Sequence, residues 1–139
     1  MMKSANSGKG ADRRGTAAIE FALVGPMFIL LLVGMIVYGG WFWMAHSVQA
    51  AVSEGARAAV AGLDPLEREQ LARSVVATQL GDLGLRPTDA VVTVRGQAGT
   101  FRIEVAYDAR RHPLMALSPL TIAPPETIRR SAIIRVGEG

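Results

Sequence analysis

Polar and apolar positions divide this 139-residue chain into four stretches. A short charged and polar head is followed by a run from Phe21 to Ala45 in which 25 consecutive residues carry no charge. Next comes an alanine-rich stretch, His46 to Gly62, with apolar positions at helical spacing. The remainder shifts from a period near 3.6 to a period of 2. Twenty-five residues rise about 37 Å as a helix, enough to cross a hydrocarbon layer of about 30 Å. Tyr38, Trp41, Phe42 and Trp43 at the far end match the aromatic belt of a membrane interface. A secretory signal also has a basic head, but its apolar region spans only about 7–15 residues, so this segment reads as a retained anchor.

Beyond the anchor, the alanine-rich stretch continues the same helix and is expected to stop at Gly62, with Val48, Val52, Ala56, Ala59 and Val60 as its apolar stripe. A second helix starts where Asp64 can cap, Pro65 suits the first helical position and Glu67 completes a capping box. Leu71, Ala72, Val75, Val76 and Leu80 fall on one side of it, and Gly81 or Gly84 ends it. Three strands follow: Ala90 to Arg95, the alternating run Phe101-Ile103-Val105-Tyr107, and Ile128 to Val136. Gly96-Gln97-Ala98-Gly99 is expected to form the hairpin loop between the first two. The predicted fold class is α+β. A long N-terminal transmembrane helix continues into a small domain with a second helix and a three-stranded antiparallel sheet. The organisation expected is a cytoplasmic basic leader over residues 1–15, a transmembrane and extended helix over 16–62, and a small extracytoplasmic domain over 63–139. The leader, with its Gly and Ser residues, is expected to be without regular structure.

Between the second and third strands, residues Pro113 to Pro125 are apolar for a loop, and their prolines forbid a regular helix. Two readings stand: a lid over a small core, or an exposed contact for a partner subunit.

Charge sharpens the orientation. Lys3, Lys9, Arg13 and Arg14 against Asp12 place a net +3 in the first fifteen residues, while the rest carries eleven Arg and eleven Asp or Glu. Positive charge ahead of the span puts the N-terminus in the cytoplasm. It also removes the nucleic-acid reading that a basic isoelectric point invites, because no arginine cluster with interleaved aromatics occurs elsewhere. There is no cysteine, and the two histidines, His46 and His112, sit far apart in the sequence. No phosphate loop, nucleophile elbow or catalytic carboxylate pair is visible, so no enzyme activity, metal, cofactor or small-molecule substrate is expected.

Glu20 is out of place in a plain anchor. A carboxylate at the centre of a membrane helix costs about 2.5–3.5 kcal/mol, less near the interface, where snorkelling beside Arg14 would relieve it. Its setting, Arg13-Arg14-Gly15-Thr16-Ala17-Ala18-Ile19-Glu20-Phe21, resembles the cleavage region of prepilin-type leaders. That resemblance implies a cut between Gly15 and Thr16 by a prepilin peptidase, which leaves Glu20 at the fifth place of the mature chain with apolar Phe21 behind it. Cleavage would create an α-ammonium on Thr16, one turn from Glu20 on the same helix face. Glu20 of one subunit could then pair with the Thr16 ammonium of a neighbour and fix axial register. Pro26 removes one helical hydrogen bond and clashes with the carbonyl of Ala22, so a kink or loosened turn is expected there.

The run Gly15 to Val24, then Pro26, Ala51 and Glu54-Gly55-Ala56-Arg57-Ala58-Ala59 resembles the TadE family and its TadF and TadG-like relatives. The resemblance implies a minor pilin or pseudopilin of the Tad (tight adherence, Flp) pilus. Such a subunit sits in the bacterial inner membrane with its C-terminal domain periplasmic, or on the pilus after assembly. Its partners would be the membrane, the prepilin peptidase, other minor pilins and the pilus assembly platform. The alternative is an uncleaved single-pass envelope scaffold of another secretion or signalling assembly.

Overall fold

A computed structural model describes residues 9–137 of the chain. Helix α1 (Lys9–Val60) is continuous over 52 residues, about 78 Å of rise. Helix α2 (Pro65–Asp82) folds back against it. Strands β1 (Ala90–Gln97), β2 (Thr100–Asp108) and β3 (Thr127–Arg135) form one antiparallel sheet in the order β1-β2-β3. The fold is α+β, as the change in hydrophobic period implies.

The beginning of α1 departs from expectation. Residues 1–8 of the leader lie outside the described residues, but Lys9 to Gly15 are helical rather than irregular. Extending a helix that the apolar run has already nucleated costs little per residue. Asp12 in the first turn complements the helix dipole, and Thr16 Oγ1 donates to the Asp12 carbonyl at 2.9 Å.

The other end of α1 supplies the core. Val37, Met44, Ala45, Val48, Ala51, Val52, Ala56 and Ala59 are buried there. Four of the five expected stripe positions therefore hold. Val60 does not, because α1 ends at this residue and the turn into α2 leaves it outside the contact. The packed stripe also begins eleven residues earlier than the sequence indicated, at Val37 instead of Val48.

α2 begins as its capping signals predict. Asp64 Oδ1 accepts from the Glu67 backbone N–H at 2.8 Å, and Glu67 Oε2 accepts from the Leu63 N–H at 2.7 Å. Ala72, Val76 and Leu80 face inward, and the chain leaves the helix through Gly84 at φ +76°. The inner face of the sheet, Phe101, Ile103, Val105, Tyr107 and Ile128, closes the core from the other side.

The β1–β2 connection is tighter than the four-residue loop expected. Gly96 and Gln97 belong to β1, and the turn is Ala98-Gly99 alone. Both residues have positive φ, +40° and +75°, as a two-residue turn that follows strand twist requires. Gly99 adopts this freely, whereas Ala98 has a Cβ that makes the left-handed region costly by about 1–2 kcal/mol. Ala98→Asn should therefore raise stability by about 0.5–1 kcal/mol, a gain of several degrees in a thermal melt of the micelle-solubilised chain. An unchanged or lower melting temperature would contradict this account of the turn.

Candidate functional site

The chemistry-bearing residues picked out by the sequence lie on the free part of α1. Gly15, Thr16, Glu20, Phe21 and Pro26 are all within one helix, and Phe21 is 78% exposed. The helix continues past Pro26. Gly15 has open space where a Cβ would stand. Thr16 and Glu20 are four residues apart on this continuous helix, which places them on one face. All the ion pairs found among the described residues involve Glu54 or residues after it, and none engages Glu20.

α1 is the one helix, among the described residues, that is long and apolar enough to cross a membrane. Only 6% of its most apolar 18-residue window is buried, which separates it from the hidden core helix of a soluble domain. Its exposed residues Phe28, Ile29, Leu30, Leu31 and Leu32 would be unsupportable in water as a contiguous surface and are natural in lipid. The N-terminal helix is a membrane anchor.

The second motif, Glu54 to Ala59, lies at the other end of α1 and has a packing explanation. A Cβ on Gly55 would stand 2.6 Å from Val76 Cγ2 and 3.1 Å from the Ala72 carbonyl oxygen. Ala56 and Ala59 are buried beside it, so this part of α1 is a smooth face against which α2 lies at close range. Glu54 and Arg57 point outward and pair with each other at 3.2 Å. The small residues serve helix contact: Ala56 and Ala59 lie on the expected apolar stripe, whereas Gly55 carries no local sign of the neighbour that requires it.

Polar side chains elsewhere hold the domain together. Asp89, whose side chain is 2% exposed, accepts from Arg111 at 3.1 Å, tying the turn before β1 to the turn after β2. Asp108 caps that second turn, and the Arg110 guanidinium beside it holds its carboxyl below the usual carboxylate range. Burial pushes the Tyr107 hydroxyl above its ordinary value. His112 lies beside Trp43, with ring centroids 5.9 Å apart, while His46 is exposed on α1. A hollow of about 410 Å³ is an open trough on the outer face of the sheet lined by Arg95, Arg102 and Glu104. Among the described residues no three potential ligands gather as a metal site would require. What the arrangement offers is a bare helix for association, displayed by a small folded head.

The aromatics expected at the membrane interface do more than flank lipid. Trp41 Nε1 donates to the Pro125 carbonyl at 2.8 Å and Tyr38 Oη donates to the Ile122 carbonyl at 2.9 Å. Both bonds tie the long segment between β2 and β3 to the helix, a pairing across 84 residues that local patterns do not reveal. That segment is a helix after all, but of the tighter 3₁₀ type, over Pro113–Leu120. Its prolines exclude an α-helical ladder and leave i to i+3 bonds possible. Met115 and Pro124 are buried and Leu114 half-buried, so the lid reading holds for that part, while Leu117, Leu120 and Ile122 remain exposed.

No curated protein and no solved structure matches the chain. Residues 15–57, from Gly15 to Arg57 on α1, match the family model described as TadE-like protein, and to that extent the chain is similar to this family.

Proposed function

We propose that this chain is a minor pilin of a Tad pilus machine, made as a precursor and used as a building block rather than as an enzyme. The precursor inserts with its basic leader in the cytoplasm of a bacterium and its globular domain in the periplasm. A prepilin peptidase cuts between Gly15 and Thr16. The mature helix then associates with other minor pilins on the assembly platform, and the machine they prime serves adhesion. The reading draws on the TadE-like match, which begins at Gly15 itself, and on the net +3 leader ahead of the span. The α1 core also favours retention over removal of the helix, since loss of the anchor together with Val37 and Met44 would open the folded domain.

One observation carries the proposal. A single acid, Glu20, stands five residues after Gly15 on an otherwise uncharged, exposed stretch of α1 whose far end is locked into a folded domain. An acid so placed needs a cation, and the new Thr16 ammonium of an adjacent subunit supplies it in a low-dielectric setting. Glu20→Ala tests this. The substitution leaves the core untouched, so the variant should accumulate in the membrane at normal levels. Loss of a buried charge pair costs about 2–5 kcal/mol per subunit contact, which should reduce surface pili by more than tenfold. Normal piliation by the variant would sink the pairing.

A further inference from the structure

The segment between β2 and β3 is a closed loop whose course along α1 can be followed contact by contact. Its neck is pinned where the Ala109 N–H donates to the Glu126 carbonyl at 2.8 Å and Arg110 bridges Asp108 and Glu126 at 2.9 and 3.6 Å. From there it descends toward the N-terminal half of the helix. His112 lies beside Trp43, Leu114 presses on Gly40, and Thr121 reaches Gly34, where a Cβ would be 4.0 Å from its methyl group. The chain then climbs back through Ile122 at Tyr38 and Pro125 at Trp41. Nine residues of helix separate Trp43 from Gly34, about 13–14 Å of rise.

This depth is the informative quantity. If the hydrocarbon layer begins near Phe21, about 20 residues of helix bring it to Gly40, so Gly34 lies about 9 Å below its edge. The loop tip sits at that level. Its sequence fits the location, for Pro113 to Pro125 contains no charged residue, and every charge at the neck is at the upper end. Four of these thirteen residues are proline and bring no N–H that lipid would leave unpaired. Several other polar groups are satisfied internally: the Met115 N–H by the His112 carbonyl, the Thr121 N–H by that of Ser118, and the Ile122 and Pro125 carbonyls by Tyr38 and Trp41. Leu117, Leu120 and Ile122 meanwhile point away from the protein, with Ile122 85% exposed.

We propose that this loop is a membrane-dipping collar: Leu117, Leu120 and Ile122 enter the leaflet on the side of the globular domain, beside Phe42 and Trp43 of the anchor. Lipid is favoured over a protein partner because the loop shares its level, its lack of charge and its hydrogen bonds with the spanning helix. Apolar elements lying in the interface bury about 5–10 Å into the boundary, which matches the depth counted along α1. The collar would set the tilt and rotation of the domain on the bilayer. It rests on the membrane-anchor reading and not on the pilus assignment.

The chain has no cysteine, so single cysteines can be introduced for fluorescent labelling of the full-length protein in phosphatidylcholine vesicles. Ile122→Cys and Leu120→Cys probe the collar, Leu30→Cys the span, and Val91→Cys the outer face of the sheet, all at exposed positions that tolerate substitution. Nitroxides attached at shallow depth in the lipid should quench the collar probes at least about threefold more than the Val91 probe, and iodide in the buffer should do the reverse. Collar probes open to iodide while Leu30 is quenched by lipid would overturn the collar and leave the anchor standing. All probes open to iodide would overturn both. Collar probes shielded from lipid and buffer alike would mean that another protein copy covers the loop, which also overturns the proposal.

Discussion

Gly55→Leu is expected to destroy the folded domain while leaving the membrane anchor intact. Even the first added carbon would stand 2.6 Å from Val76 Cγ2 and 3.1 Å from the Ala72 carbonyl oxygen, and three more would follow it into the α1–α2 contact. Val76 is fully buried and Ala72 presents backbone, so neither can yield without moving α2. Overpacking of this kind costs about 1–3 kcal/mol for small insertions and more for a branched side chain. A small domain has only about 5 kcal/mol or somewhat more in reserve. Gly55→Ala should lose about 1–3 kcal/mol and Gly55→Leu the protease-resistant core altogether. Limited proteolysis in micelles reads both, and a Leu variant as resistant as the parent would contradict the close helix contact.

Gly15→Ala carries the second large effect, and here the fold is not disturbed. No atom stands where the new Cβ would be, and replacing a helical glycine with alanine favours the helix by about 1 kcal/mol. A precursor that accumulates uncut would therefore report on recognition by the peptidase rather than on misfolding. The expected result is a chain retained in the membrane at its full length, with surface pili absent, since the Thr16 ammonium never forms. Uncut protein in cells with normal pili would show that processing is dispensable for assembly.

These two glycines show what could be read from the chain and what could not. Gly15 was identifiable because its meaning is local: a basic head before it, an acid five residues after it and an apolar run beyond. Gly55 belongs to a recognisable motif, but its reason is a neighbour some twenty residues away, visible only once α2 is in place. The strands of the sheet were legible from period 2, and α2 from its capping residues, because both signals are carried within a few residues. Val37 to Ala45 were not separable into lipid-facing and core-facing positions, as apolar side chains suit both solvents equally. The loop from Pro113 to Pro125 is apolar and proline-rich in the sequence, yet its course down the helix depends on Tyr38 and Trp41 finding its carbonyls. That pairing leaves no trace in local pattern.

The α1 helix thus joins three tasks in one element. Its head displays Glu20, its middle is bare enough for lipid, and its tail is the spine of the domain core. The anchor and the spine of the domain are thus parts of one continuous helix, Lys9–Val60.

The most direct test of the central claim is mass spectrometry of the N-terminus of the protein extracted from the membranes of cells that carry out its function. A chain that begins at Thr16 is the predicted result. A functional chain that still begins at Met1 and retains Gly15 would contradict it.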